Sequence, residues 1–246
     1  MKIIYRISDG GYAKEKPDYI GKIECLVNFM NSLGKVEPYD VRIIADKCSE
    51  KTIQKINEVM SHYPAFILHQ TSYGNGAASF KFALEMATLN PNDEEIIYFV
   101  EDDYVHLYGW PERMKEVFDE TKVEFVTLYD HPDKYINGSD GGNPRVEGGG
   151  EVTRVIRTTT RHWKLTNSTT MTFAAKVKTL KKYSKIMEPH VNGTHPNDWG
   201  MWCDIYTQGG SLVSPIPALA THGETAWLSP GVDWSYHITD DRNILK

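Results

Sequence analysis

Ile96–His106, IIYFVEDDYVH, runs five apolar residues straight into Glu101, Asp102 and Asp103 before returning to Tyr104 and Val105. The apolar run is too short for a helix and has the look of a buried strand. Three adjacent carboxylates repel one another, and no apolar core accepts them unpaired. The strand therefore ends where water or something positive meets the acids.

Working outward, strands and helices alternate. KIIYRIS is an apolar run. It is followed by a segment with Ile20, Ile23, Leu26, Val27, Met30 and Leu33 at helical spacing, stopped by Gly34. VRIIAD is a second strand, and Ser49 can cap a helix whose inner face is Ile53, Ile56, Val59 and Met60. AFILHQ is a third strand. SYGNGAAS is a glycine turn opening a helix, and after the acidic strand WPERMKEVFDE places Pro111 in a first helical turn. VEFVTLY closes the series as another strand. Strand–helix alternation predicts an α/β fold with a mostly parallel central sheet flanked by helices, of Rossmann type. Ligands of such sheets lie beyond the carboxyl ends of the strands, which is where Glu101–Asp103 fall.

Residues 131–150 are rich in Gly, Asn, Asp and Pro and lack an apolar period, so a flexible flap is expected there. Beyond it come two Thr-rich β segments forming a smaller acceptor-side part, a basic helix over 177–187 and a helix from Asp198 through Tyr206. We expect a single domain, 1–246, with a first half over 1–130 and a second over 151–246.

Lys plus Arg number 27 against 33 Asp plus Glu, a net charge of −6, with no basic run of the kind nucleic acid requires. No nucleic-acid partner is expected. No apolar stretch approaches the ~18 residues of a membrane span, and the start has too short an apolar stretch for a secretory signal, so a cytoplasmic protein without a transmembrane segment is expected. Cys25, Cys48 and Cys203 lack metal or disulfide spacing and are read as buried thiols.

Three chemistries suit the acids: a solvated turn, a divalent-metal site, or a carboxylate pair for proton transfer. The end of a central strand favours the metal. With VEDDY ending that strand and this order of elements before it, the chain resembles glycosyltransferases of the GT-A fold, especially inverting family two, whose DxD-type motif ends a central strand. The resemblance covers roughly 1–130 and, more loosely, 150–230. It implies that Asp103 binds a Mn²⁺ or Mg²⁺ ion bridging a nucleotide diphosphate, that Asp102 contacts ribose, and that Glu101 supports them.

It further implies an acid against base or ribose at the end of the second strand, which is Asp46. Ser8 and Arg6, at the end of the first strand, are weaker nucleotide-side candidates, Arg6 standing either beside a phosphate or merely snorkelling. Gly74 and Gly76 permit close backbone approach, and Asn75 can donate to a nucleotide or simply cap its helix. An inverting enzyme needs a carboxylate at the acceptor hydroxyl. The family places it at the start of a helix in the second half, which matches Asp198, although Asp198 also suits a cap. Asp204 is a weaker base, and Trp199 is a candidate sugar-stacking face. The family often completes its metal site with a late histidine, which would be His222, with His195 as the alternative.

The resemblance thus implies a metal-dependent hexosyl- or deoxyhexosyltransferase. It would move a sugar from a UDP, GDP or dTDP donor to a glycan or other hydroxyl acceptor, with inversion, in polysaccharide or glycoprotein assembly. Two alternatives stay open: a sugar-phosphate nucleotidyltransferase, whose Gly-rich basic loop ISDGGYAKEKP imitates loosely, and a non-catalytic glycan-binding protein.

Overall fold

The computed structural model describes residues 1–10, 14–34, 39–63 and 65–239. In chain order the elements are β1 (Lys2–Ser8), α1 (Lys22–Ser32), β2 (Asp40–Asp46), α2 (Glu50–Met60), β3 (Phe66–Thr71), α3 (Gly76–Thr88), β4 (Ile96–Glu101), β5 (Tyr104–His106), α4 (Trp110–Glu120), β6 (Phe125–Val126), β7 (Val155–Arg157), β8 (His162–Thr166), β9 (Phe173–Lys176), α5 (Val177–Met187), α6 (Asp198–Thr207), β10 (Leu212–Ile216), β11 (Ala220–His222) and α7 (Trp234–Thr239). The fold class is the expected one: α/β, with a mostly parallel sheet flanked by helices. Among the described residues no helix is long and apolar enough to cross a membrane.

The chain gathers into two compact units, each drawn from three segments of the sequence. The first comprises Met1–Ala13, Lys35–Asp102 and Ser168–Gly210, and the second Lys14–Gly34, Asp103–Asn167 and Ser211–Lys246.

In the first unit the strands run in the order β3-β2-β1-β4-β9. The first four are parallel, and β9 joins β4 antiparallel. The uninterrupted apolar runs are explained by burial on both faces: Ile3, Ile4 and Tyr5 in β1, Ile43 and Ile44 in β2, and Ile97 through Val100 in β4 are all sealed from solvent. Phe80 of α3 lies 5.1 Å from Phe99, Phe99 lies 5.3 Å from Phe173, and Phe173 meets Trp202 of α6 edge-on at 5.0 Å. Trp202 is therefore a core residue. β3 is the edge and leaves Ile67 exposed.

The second unit carries β6-β10-β8-β7, with β10 parallel to β6 and antiparallel to β8, and a separate antiparallel pair β11–β5. Ile20, Cys25, Val105, Ala218, Trp234 and Ile238 form one of its apolar clusters. Buried Asn28 of α1 accepts from the His106 backbone N–H at 2.7 Å and donates to the His106 carbonyl at 3.1 Å, satisfying a stretch of β5 that would otherwise be an open edge. Of the three cysteines only Cys25 is buried. Cys48, in the connection after β2, and Cys203, on α6, are partly exposed, which corrects the expectation for those two.

The glycine-rich stretch 131–150 holds two short 3-10 turns, Pro132–Tyr135 and Gly138–Asp140. Asn143 and Asn167 exchange side-chain hydrogen bonds at 3.0 and 3.2 Å, and the Glu151 N–H donates to the Lys134 carbonyl at 2.8 Å. Gly148 and Gly149 take left-handed backbone angles, and the Gly149 N–H donates to Asn137 Oδ1 at 2.8 Å.

Candidate functional site

Parallel register aligns the strand ends of the first unit: Ser8 stands beside Asp46, Asp46 beside Thr71, and Arg6 beside Glu101. The Ser8 backbone N–H donates to Asp102 Oδ2 at 2.9 Å. Asp46, buried, accepts from Thr71 Oγ1 at 3.0 Å and from the Gly74 N–H at 2.8 Å, so its carboxylate shapes the turn into α3. Gly74 has φ +70°, a left-handed backbone conformation that favours glycine.

Asn75 is the N-cap of α3, its Oδ1 accepting from the Ala78 N–H at 2.8 Å. Arg6 neither snorkels nor projects into solvent. It pairs with Glu101 Oε1 at 2.9 Å, donates to the Gly76 carbonyl at 3.0 Å and lies over the Phe80 ring at 5.2 Å. Its visible work is to hold Glu101 and the start of α3 in place.

The start of α3 also touches the approach to α6. The Ala77 N–H faces the Thr194 carbonyl at 3.5 Å, and a Cβ on Gly76 would lie 3.5 Å from Pro196 Cδ. The cap of α6 is Asn197, which accepts from the Gly200 N–H at 3.1 Å. Asp198 is the first helical residue and takes the adjacent Trp199 N–H at 2.7 Å. The capping role weighed for Asp198 thus belongs to its neighbour. Trp199 is half-buried and His195 exposed, while Asp204 faces His190 at 2.8 Å.

In the second unit a short β ladder builds a different constellation. β5 and β11 pair so that His222 opposes Tyr104, and the Gly223 N–H donates to the Asp103 carbonyl at 2.7 Å. A Cβ on Gly223 would lie 2.8 Å from that same oxygen and 2.6 Å from Ile20, so only glycine lets the strands approach this closely. The result is that His222 Nε2 reaches Asp103 Oδ2 at 3.1 Å across 119 positions of sequence.

Three charged residues complete this cluster that the sequence did not single out. Lys16 Nζ lies 2.9 Å from the same Asp103 Oδ2, Lys14 Nζ lies 2.6 Å from Glu224 Oε2, and that oxygen lies 3.7 Å from His222 Nδ1. The available signals were faint: the alternating lysines of KEK, and Glu224 two positions after His222, on the same side of an extended chain. Burial alone would raise the pKa of Asp103. The adjacent His222 and then Lys16 outweigh it and hold the carboxyl well below the usual carboxylate range.

Asp103 and His222 fit a divalent cation. Two ligands at about 2.1 Å from one octahedral ion stand about 3 Å apart when adjacent, which matches their 3.1 Å separation. Carboxylate oxygen suits Mg²⁺ and Mn²⁺, and neutral imidazole is a common metal ligand. Among the described residues no three His, Cys, Asp or Glu side chains converge as a closed site. An ion held by two protein ligands keeps positions for phosphate oxygens and water.

No family model matches the chain, and no curated protein matches it in sequence. Solved structures do match its fold. The structure of GalNAc-T7 with UDP, GalNAc and Mn²⁺ aligns at TM-score 0.58 and 11% identity, over 92% of this chain and 44% of that one. TarS from S. aureus aligns at TM-score 0.52 and 13% identity, over 87% of this chain and 58% of that one. The chain thus spans about half the length of each of these two structures. At such identities the likeness is one of fold, and that fold is the GT-A fold of glycosyltransferases.

Proposed function

We propose that this chain is a metal-dependent glycosyltransferase. It would transfer a hexosyl or deoxyhexosyl group from a nucleotide-diphosphate sugar of UDP, GDP or dTDP type to a hydroxyl of a glycan or other acceptor, with inversion. The observation that carries this reading is the convergence of Asp103 and His222 at 3.1 Å, directly after a central strand of a GT-A fold. These two residues would hold Mn²⁺ or Mg²⁺. Such an ion neutralises charge developing on a departing diphosphate without consuming a proton.

The remaining roles belong to the chain's own side chains. Asp102, steadied by the Ser8 N–H, takes a ribose hydroxyl. Asp46 presents the turn containing Asn75 to the nucleotide, and Arg6 supports Glu101 and Gly76 instead of meeting phosphate itself. Asp198 removes the acceptor proton as the sugar is attacked, and Trp199 offers its ring to the acceptor. The segment 131–150 would close as a flap to exclude water, limiting hydrolysis of the donor. Polysaccharide or glycoprotein assembly is the process proposed. The cytoplasm is the setting proposed, and three free thiols accord with its reducing conditions.

Thermal denaturation with UDP, GDP or dTDP, each with and without Mn²⁺, tests this on the wild type and on Asp103→Asn. At about 100 times its dissociation constant a bound nucleotide adds roughly 2.7 kcal/mol. One nucleotide should stabilise the wild type only with metal, and Asp103→Asn should lose the effect. Failure of every nucleotide to shift the wild type, with metal or without, sinks the proposal.

A further inference from the structure

Asp103 Oδ2 faces two nitrogens at once, with His222 Nε2 at 3.1 Å and the Lys16 ammonium Nζ at 2.9 Å. Lys16 is held there by more than its own reach. The segment 14–16 is clipped to the turn after His222, because the Thr225 N–H donates to the Glu15 carbonyl at 2.9 Å and Lys14 pairs with Glu224 at 2.6 Å. The backbone bond lies between the two lysines and fixes both side chains over the same turn. With the Lys16 side chain only 27% exposed, this ammonium is built into the site.

An ammonium and a divalent ion cannot share that oxygen. At an effective dielectric of about 20, repulsion between a doubly and a singly charged cation within ordinary ion-pair distance far exceeds what a partly exposed ion pair contributes. Entry of a metal therefore requires the ammonium to leave. Building on the metal site proposed above, we propose that Lys16 is the resident cation of that site. It is a positioning residue that keeps the charge of Asp103 paired in the empty protein and is displaced when a divalent ion binds. The metal affinity of the protein is then set partly by the cost of breaking the Lys16–Asp103 pair.

Lys14 supplies the control, since it carries the same charge two residues away but pairs with Glu224. Mn²⁺ binding is read by electron paramagnetic resonance of the free ion, with and without UDP, on wild type, Lys16→Met, Lys16→Arg, Lys14→Met and Asp103→Asn, each checked for an unchanged far-ultraviolet spectrum. Lys16→Met should bind Mn²⁺ at least fivefold more tightly than wild type. Lys16→Arg should stay near wild type, Lys14→Met within about twofold, and Asp103→Asn should bind little. Equal or weaker Mn²⁺ binding by Lys16→Met, with Asp103→Asn still defective, overturns the resident-cation role and leaves the metal site standing. An equal gain from Lys14→Met reduces the effect to general charge and also overturns it. If no variant binds Mn²⁺ even with UDP, the metal site itself falls and this role with it.

Discussion

Lys164 Nζ lies 2.9 Å from Asp130 Oδ1 with the two side chains 3% and 5% exposed, an ion pair closed off from solvent. Tyr135 donates its hydroxyl to the other Asp130 oxygen, and Glu151 Oε2 stands 3.6 Å from the same ammonium. Burial alone would lower the Lys164 pKa, but the charge of Asp130 outweighs it and raises it, so the lysine stays charged. Removing one partner strands a buried charge, which typically costs about 3–5 kcal/mol, whereas neutralising both is far milder. Lys164→Met should therefore lower unfolding free energy by about 3–5 kcal/mol in urea titrations, and adding Asp130→Asn should recover part of it. A single variant within about 1 kcal/mol of wild type would show that water reaches the pair.

Burial pushes the His106 imidazole down to about 3, the Tyr104 backbone acting weakly the other way. The ring packs edge-on to Phe29 at 4.9 Å and lies 5.7 Å from Trp110, a place for the neutral form. The unfolded chain protonates this histidine near pH 6.5, so between pH 6.5 and about 3 it binds the proton that the folded state refuses. The stability contributed by the neutral ring is complete above pH 6.5 and is lost as pH falls. The slope is about 1.4 kcal/mol per pH unit within that window, or roughly 2 kcal/mol by pH 5. Urea midpoints at pH 7, 6 and 5 measure it, and His106→Phe should show a distinctly flatter profile. Parallel profiles for wild type and variant would assign the acid sensitivity to other groups.

These sites differ in how much of them could be read from sequence, for physical reasons. β1, β2 and β4 were legible because burial on both faces demands unbroken apolar runs, and Asp103 because three acids stop such a run. The meeting of Asp103 with His222 followed from resemblance, but its cause, the β5–β11 ladder and the close approach at Gly223, is a pairing across 119 positions that no local pattern encodes. Lys16 was hidden for the same reason, reaching Asp103 over 87 positions. Periodicity is local, so it located helices and strands but carries no information on which of them gather together. HWKLT fell within a Thr-rich β segment, which gave no sign that Lys164 would be sealed inside with Asp130. In PNDWG, Asn197 and Asp198 are equally good helix caps by residue type, and only the bond to Gly200 decides between them.

That decision makes the role of Asp198 separable by experiment. Asn197 carries the cap, accepting from the Gly200 N–H at 3.1 Å, while Asp198 accepts from the neighbouring Trp199 N–H at 2.7 Å. Asn197→Ala should cost about 1 kcal/mol of stability, the ordinary price of a lost cap. Asp198→Asn keeps an oxygen for the Trp199 N–H and should melt close to wild type. A general base contributes about 10²–10⁴-fold, so Asp198→Asn should lower kcat for transfer by that factor while leaving KM for the nucleotide sugar nearly unchanged. Assays of sugar transfer on both variants, once the donor is known, separate the two positions. If Asp198→Asn retains kcat, another group takes the acceptor proton and the argument for inversion at this residue is lost. If it instead melts several degrees early with kcat per folded molecule intact, Asp198 serves the helix and not the reaction.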